Sequence, residues 1–281
     1  MNTTSVLGVS VNFREAGQGE GVVLLHSAGS GSGQWKRLME RLADRYHVLA
    51  PDLFGYGGTG HWPAERSDLI EDEAEIVAAM FDRLDGPAHL VGHSYGGHVA
   101  ARTALIHPGR IRSLTLIEPS LHYLLAHAGE SDAYAEIRGV ADPVLALVGE
   151  QELEKAAEVF LDYWIGPGSL RSMPPAQRAA VVESMRKLGY QWPFSLTRDY
   201  PGLAHYAGMK APTLLVQGGK TTPALKRLMH ILRRLLPNQE FVEIEGAGHM
   251  SAATHPDAVN AAIERHLARH GLRDQRVSEA A

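Results

Sequence analysis

The sequence has no cysteine among its 281 residues, and this absence excludes disulfide bonds, thiolate metal ligands and a cysteine nucleophile. It also has no apolar run that approaches the roughly 18 residues of a membrane-spanning helix. The N-terminal residues MNTTSVLGVS lack the basic segment and apolar stretch of a secretory signal. By default, we expect a cytoplasmic protein with no membrane partner.

An excess of basic residues is also missing. The 27 Lys and Arg residues stand against 32 Asp and Glu residues, and the net charge of -5 gives no broad attraction to phosphate backbones. We therefore expect no nucleic acid partner. No HExxH or other metal-binding spacing is present, so we expect no metal and no cofactor. Hydrophobic residues make up 44% of the chain, which is typical of a globular protein with a sizeable core.

Short apolar runs rich in β-branched residues recur along the chain, and most are followed by a segment with helical periodicity. They begin at residues 22, 46, 88 and 111, and two more begin at 211 and 240. This alternation predicts an α/β fold, with a mostly parallel sheet covered by helices on both faces. The first segment, SVLGVSVNFREAGQGEG, predicts an antiparallel hairpin at one edge of the sheet.

The stretch between the fourth and fifth of these runs contains helical patterns and no strand candidate. We therefore predict a core domain formed by residues 1–119 and 206–270, with residues 120–205 inserted as a helical cap, or lid. Residues 271–281 are expected to be a flexible tail. The sequence does not determine the oligomeric state, and a homodimer is one option.

The pentapeptide Gly92-His93-Ser94-Tyr95-Gly96 lies between a predicted strand and a predicted helix. It matches the G-x-S-x-G pattern of a sharp strand-to-helix turn, in which small residues on either side leave room for a strained serine. We predict that Ser94 is a nucleophile. The alternative is an ordinary serine in a tight turn.

A serine nucleophile needs a base and an orienting acid. His249 follows the last predicted strand in the glycine-rich loop EIEGAGHMS, and Glu118 ends the strand SLTLIEP. The carboxyl ends of parallel strands meet at one edge of a sheet, so both residues are expected near Ser94. The alternatives are a structural salt bridge for Glu118 and a rival acid, Asp52, which more simply caps the turn after its strand.

The small residues after the first parallel strand, Ser27 to Gly33, can point backbone N–H groups into one concavity. We predict an oxyanion hole formed by the N–H groups of Ala28 and Tyr95. A dinucleotide-binding loop is the competing interpretation, but Gln34 and Lys36 stand where its last glycine would be needed.

The motifs HSAGSGSGQW, PDLFGYGGTG, GHSYGG and GAGH, in that order, resemble those of α/β-hydrolase-fold serine hydrolases over residues 5–119 and 205–270. The resemblance implies cleavage of an ester through an acyl-enzyme. Two features depart from the family pattern: His26 is followed by Ser27 instead of glycine, and no aspartate follows the penultimate strand. Zearalenone-type lactonases are similar in taking their acid from the end of the preceding strand, and Glu118 matches their glutamate.

Ser94 also excludes the dehalogenases and epoxide hydrolases of this fold, which need aspartate at that position. The aromatic residues of the cap suggest an apolar pocket for a hydrophobic ester or lactone. For any single one of them, packing in the core of the cap is the favoured interpretation. The expected pocket residues are Tyr123, Tyr163, Trp164, Tyr190, Trp192 and Phe194.

Two other function classes remain open. A receptor could keep the same fold and residues and use the pocket only to sense a ligand. A lyase or a cofactor-free oxygenase could use the histidine as a base without forming an acyl-enzyme.

Overall fold

The computed structural model describes residues 1–63, 65–197 and 201–272. The eight strands are β1 (Asn2–Val6), β2 (Val9–Ala16), β3 (Glu20–Leu25), β4 (Tyr46–Pro51), β5 (Ala88–His93), β6 (Ile111–Ile117), β7 (Thr213–Gly218) and β8 (Gln239–Ile244). They form one sheet in the order β1-β2-β4-β3-β5-β6-β7-β8. β1 and β2 pair antiparallel, as do β2 and β4, whereas all the other pairs are parallel. The predicted α/β fold with an antiparallel edge hairpin is confirmed.

The helices lie between and after these strands. They are α1 (Lys36–Leu42), α2 (Leu69–Phe81), α3 (Tyr95–Ile106), α4 (Tyr123–His127), α5 (Ser131–Gly149), α6 (Leu153–Trp164), α7 (Pro175–Leu196), α8 (Leu203–Ala207), α9 (Pro223–Leu235), α10 (Ser251–Thr254) and α11 (Pro256–Arg269). Among the described residues, no helix is both long enough and apolar enough to cross a membrane.

The sheet has an apolar layer on each face because successive side chains of a strand point in opposite directions. In β3, Val23 and Leu25 belong to a core that also contains residues of α2, α3 and α9. Val22 and Leu24 belong to a second core, with residues of α1 and α11. All four side chains are fully buried. A strand buried on both faces reads as a continuous apolar run, which is why the period-two alternation is hidden in the sequence.

Five helices, α4 to α8, lie between β6 and β7, and the described residues between those two strands contain no further strand. Side chains of α5, α6 and α7 join the same apolar core as the face of the sheet that carries α2, α3 and α9. The division into a core and a cap at residues 120 and 205 stays a prediction. The predicted tail begins after α11, and its residues from 273 onward lie outside the described part of the chain.

Candidate active site

Ser94 occupies the sharp turn between β5 and α3, with a φ of 53° and a ψ of -113°. A positive φ is strained for a residue with a side chain and is commonly found at functional sites. A Cβ atom at Gly92 would lie 2.2 Å from the carbonyl oxygen of Gly96, and one at Gly96 would lie 2.5 Å from that of His26. The turn therefore requires glycine at both positions.

The structure brings Ser94, His249 and Glu118 into one chain of hydrogen bonds. The Nε2 atom of His249 lies 3.0 Å from the Oγ atom of Ser94. Its Nδ1 atom lies 2.7 Å from the Oε2 atom of Glu118. Since the carboxylate can only accept, Nδ1 carries the imidazole proton, and Nε2 is free to accept the serine proton.

The Glu118 carboxylate is fully buried and has three hydrogen-bond partners. Besides His249, its Oε1 atom accepts from the backbone N–H of Gly218 at 2.7 Å, and its Oε2 atom accepts from the hydroxyl of Thr221 at 2.9 Å. Glu118 itself has a φ of 40° directly after β6. Together, these contacts fix the carboxylate in one orientation, and the strained backbone angle turns it towards β7 and the His249 loop.

Gly218 and Thr221 were not singled out by the sequence. They belong to the end of β7 and the loop after it, where the family pattern places an aspartate. The only available signal was the position of Thr221 in that loop, and a threonine has no distinctive pattern of its own. Lys220, its neighbour, contributes its backbone N–H to the carbonyl of Ala247 at 2.8 Å.

The loop that carries His249 is held by a second histidine. The Nε2–H of His93 donates to the backbone carbonyl of His249 at 3.0 Å. The Nδ1 atom of His93 accepts from the side-chain amide of Gln34 at 3.2 Å. Burial lowers the pKa of His93 to about 3, so this ring is neutral at pH 7 and can both donate and accept. His93 thus bridges residues that are far apart in sequence.

Asp52, the rival acid, lies in a different environment. Its two carboxylate oxygens accept from the backbone N–H groups of Ser32, at 2.6 Å, and Gly58, at 3.2 Å. These contacts fasten the loop after β3 to the loop after β4. The structure therefore gives Asp52 the role of a turn cap, and Glu118 is the acid beside His249.

Ala28 and Tyr95, the expected oxyanion-hole residues, line the same small cavity as Ser94. Tyr95 is the first residue of α3, where backbone N–H groups have no partner inside the helix. The positive end of the helix dipole also lies there. The placement is compatible with an oxyanion hole, and the role stays a prediction.

Helices α6 and α7 cover this cavity. The cavity is small, with room for about one or two water molecules. Apart from residues of the turn and the oxyanion loop, the lining comes from the segment between β6 and β7: Ser120, His122, Phe160, Trp164, Leu188, Gln191, Trp192 and Ser195. The ring of Trp164 lies 4.4 Å from that of His249, measured between centroids.

Of the six aromatic residues expected in the pocket, the described lining of the serine cavity contains Trp164 and Trp192. The other four have different surroundings. Tyr123 is buried and its hydroxyl contacts that of Tyr206, the hydroxyl of Tyr163 donates to Glu136, and Phe194 packs edge-on against Trp62. Tyr190 is 51% exposed and lines a wider outer groove. A pocket role for these four residues stays a prediction.

A family model described as "Alpha/beta hydrolase family" matches residues 22–262. The chain belongs to this family.

Among the relatives of this α/β hydrolase is a pimeloyl-[acyl-carrier protein] methyl ester esterase of Chromobacterium violaceum. It is 28% identical over 252 residues, which cover 89% of this chain and 95% of the esterase. The solved enol-lactonase from Burkholderia xenovorans LB400 superposes with a TM-score of 0.75 at 20% identity, over 95% of this chain and 100% of that one. A thermophilic esterase from Thermogutta terrifontis superposes with a TM-score of 0.74 at 24% identity, over 95% of this chain and 97% of that one. At these identities, the two structures show a shared fold.

The α/β hydrolase also contains a buried ion pair that joins the helical insertion to the sheet region. The Nζ atom of Lys187, on α7, lies 2.9 Å from the Oε1 atom of Glu73, on α2, and both side chains are almost completely buried. Burial lowers the pKa of Lys187 to about 8 and raises that of Glu73, whereas their mutual attraction opposes both shifts. The Lys187 ammonium also lies 4.2 Å from the centre of the Tyr56 ring. The pair thus fastens α7 over the serine cavity.

Three side chains, at the start of β8, on α11 and directly after α11, could together contact a metal ion. The ligand atoms of Glu240, His266 and His270 lie within 4.8 Å of one another. The second oxygen of Glu240 is 2.5 Å from the guanidinium of Arg269, so the carboxylate charge is already balanced within this hydrolase. Arg269 would also repel a cation, and we assign no metal to this cluster.

Proposed function

We propose that this α/β hydrolase is a serine hydrolase that cleaves a carboxylic ester or lactone of a hydrophobic small molecule through an acyl-enzyme. The proposed catalytic residues are Ser94 as nucleophile, His249 as base and Glu118 as orienting acid. One observation carries the proposal: a continuous hydrogen-bonded chain leads from the serine hydroxyl through the imidazole to a buried carboxylate. A glutamate in this position resembles the arrangement of zearalenone-type lactonases.

In the proposed first step, the Oγ atom of Ser94 forms a bond to the carbonyl carbon of the ester while Nε2 of His249 takes the hydroxyl proton. The protonated imidazole keeps its Nδ1–H on Glu118, whose negative charge stabilises the positive ring. When the tetrahedral intermediate collapses, His249 gives the proton to the departing alcohol oxygen. Water then attacks the acyl-enzyme by the same route and releases the acid.

The negative charge on the carbonyl oxygen would be stabilised by the backbone N–H groups of Ala28 and Tyr95. Preorganised donors of this type contribute about 3–4 kcal/mol each to lowering the barrier in acyl-transfer enzymes. Both residues line the cavity beside the Ser94 hydroxyl, which supports this assignment. For Tyr95, the N-terminal end of α3 adds the favourable helix dipole.

The substrate class is supported by the composition of the cavity and by the relatives. Phe160, Leu188 and Trp192 give apolar walls, and the described lining contains no lysine, arginine or carboxylate. The names of the relatives include a methyl ester esterase and an enol-lactonase, and in both cases the bond that is broken joins an acyl carbon to oxygen. We extend this reaction class to the present chain, and we retain the cytoplasmic location as part of the proposal.

The proposal is tested with a panel of p-nitrophenyl esters and aromatic lactones, run with the wild-type protein and with Ser94→Ala. We expect turnover by the wild type, faster with aromatic or longer acyl groups than with a charged one, and no turnover above background by Ser94→Ala. Ser67→Ala is a matched control because Ser67 is exposed on the surface, and its turnover should equal that of the wild type. A Ser94→Ala protein that keeps full activity would refute the mechanism. A wild-type protein that hydrolyses none of the esters would favour the receptor interpretation.

A further inference from the structure

The serine cavity contains polar atoms that have no hydrogen-bond partner. They are the Oγ atom of Ser120, the Nε2 atom of His122, the Nε1 atom of Trp164 and the Nε2 atom of Gln191. All four side chains line the cavity, and none of these atoms has a hydrogen-bond partner among the described residues. A buried polar atom without a partner costs about 1–3 kcal/mol, so four of them around one small cavity indicate that it receives a polar group.

The hydrogen bonds around His122 determine which role its free nitrogen has. The hydroxyl of Ser195 donates to the carbonyl of Trp192 at 3.1 Å, so its oxygen can only accept from the Nδ1 atom of His122, which lies 3.4 Å away. Nδ1 therefore carries the ring proton. Burial lowers the pKa of His122 to about 3, so the ring is neutral at pH 7. Its Nε2 atom is then a hydrogen-bond acceptor.

The other free atoms of the cavity include two that can only donate. The indole nitrogen of Trp164 has a proton and no lone pair to offer. The amide nitrogen of Gln191 is also a donor, since its oxygen already accepts from the hydroxyl of Tyr56 at 2.9 Å. The hydroxyl of Ser120 can act in either role. The cavity thus presents donors and an acceptor together.

These groups lie close to the reacting atoms. The backbone N–H of Ser120 donates to the carbonyl of Ser94 at 3.0 Å. The centroid of the Trp164 ring lies 4.4 Å from that of His249 and 6.1 Å from that of His122. A substrate group that reached them would be only a few bonds from the ester carbonyl.

Resting on the proposed function, we propose that this cavity is a subsite for a hydroxyl group that the ester or lactone carries near the bond to be cleaved. The substrate hydroxyl donates to Nε2 of His122 and accepts from an N–H of Trp164 or Gln191. A hydroxyl reproduces the hydrogen bonds of the one or two waters that fit the empty cavity. A ketone would leave the His122 acceptor unpaired, and a carboxylate would be buried without a cation. The preferred substrate is therefore an otherwise apolar hydroxy ester.

The inference is tested with pairs of esters in which a methyl group replaces the hydroxyl. For the acyl side, the pair is methyl 3-hydroxybutanoate and methyl 3-methylbutanoate. For the alcohol side, it is 2-hydroxyethyl butanoate and propyl butanoate. Hydrolysis is followed by titration of the released acid, and each kcat/KM is divided by the alkaline hydrolysis rate of the same ester. We expect the wild type to prefer the hydroxyl ester of at least one pair by about 10-fold or more.

Two variants assign this preference to the subsite. His122→Phe removes the acceptor, and Trp164→Phe removes a donor but keeps an aromatic ring; each should bring the hydroxyl-to-methyl ratio towards one. Trp35→Phe is the matched control, because Trp35 is also buried with an unpartnered indole nitrogen, but it belongs to the core next to α1. Its ratio should equal that of the wild type.

The possible failures can be told apart. A wild-type ratio near one in both pairs, with all esters cleaved, would refute the hydroxyl subsite and leave the proposed function standing. A strong wild-type preference that persists in both variants would also refute the subsite. If no ester of any kind is cleaved, the proposed function fails and the inference fails with it. The wild-type ratio does not depend on whether the variants fold.

Discussion

The substitution Glu118→Gln changes one oxygen of the buried carboxylate to an NH2 group and is nearly isosteric. Two orientations of the new amide are available, because its oxygen can face either Gly218 or His249. If the oxygen faces His249, the amide NH2 faces the backbone N–H of Gly218. In the wild type, that N–H donates to the Oε1 atom of Glu118 at 2.7 Å. That buried N–H would lose its partner at a cost of about 1–3 kcal/mol.

The favoured orientation therefore keeps the amide oxygen on Gly218 and turns the NH2 group towards His249. The amide then donates to Nδ1, which must lose its proton, and the proton moves to Nε2. In this tautomer, the imidazole cannot accept the hydroxyl proton of Ser94. We expect kcat to fall by about 10³- to 10⁴-fold, as a wrong tautomer produces in other serine triads. The fold should be retained because all the neighbouring groups keep a partner.

The assay is the steady-state hydrolysis of p-nitrophenyl butanoate, with the folded state of each variant checked by circular dichroism. Thr221→Val is the matched control: it removes one hydrogen bond to the same carboxylate, at 2.9 Å, but leaves the charge in place. Its kcat should fall far less than that of Glu118→Gln, because the carboxylate keeps its negative charge and its hydrogen bond to His249. A kcat for Glu118→Gln within 10-fold of the wild type would refute the assigned role of Glu118.

Three further predictions concern stability. Gly96→Ala should prevent folding, because its Cβ would lie 2.5 Å from a backbone oxygen. Gly139→Ala, in open space within α5, should raise the free energy of unfolding by about 1 kcal/mol. Denaturant titration measures both, and a folded Gly96→Ala protein would contradict the geometry of the turn. Lys187→Met should lower the free energy of unfolding by about 3–5 kcal/mol, because it leaves the buried Glu73 carboxyl without a cation, and adding Glu73→Gln should recover part of the loss. No loss would show that the pair does not fasten α7. Burial lowers the pKa of five histidines from 6.5 to about 3 or 4, so the unfolded chain binds more protons below pH 6.5 and stability is lost as the pH falls. Denaturant titration should give a lower free energy of unfolding at pH 5 than at pH 7, and equal values would contradict this role of the five histidines. These residues are His26, His93, His98, His122 and His266.

Local patterns were sufficient to predict most of the fold. The apolar runs, the turn residues between them and the helical periods are properties of neighbouring residues, and they correctly predicted the parallel sheet and the edge hairpin. The proximity of Ser94, Glu118 and His249 also followed from topology, because each residue comes directly after or soon after the carboxyl end of a parallel strand. Their catalytic roles stay predictions.

The surroundings of these residues could not be predicted in the same way. Which aromatic side chain faces the cavity depends on how α6 and α7 rotate against the sheet, and no motif fixes that rotation. Trp164 lines the cavity, whereas its neighbour Tyr163 contacts Glu136. The pairing of Lys187 with Glu73 joins residues that are 114 positions apart. A contact of that separation leaves no periodic trace in a single sequence.

The central claim is that Ser94 becomes acylated during turnover. It is tested most directly by stopping the reaction with p-nitrophenyl butanoate in acid after a few milliseconds to seconds and mapping the protein by peptide mass spectrometry. The account predicts one butanoyl group, on the peptide that contains Ser94, and none in Ser94→Ala. Sustained turnover with an unmodified Ser94, or with the acyl group on Ser120 instead, would contradict it.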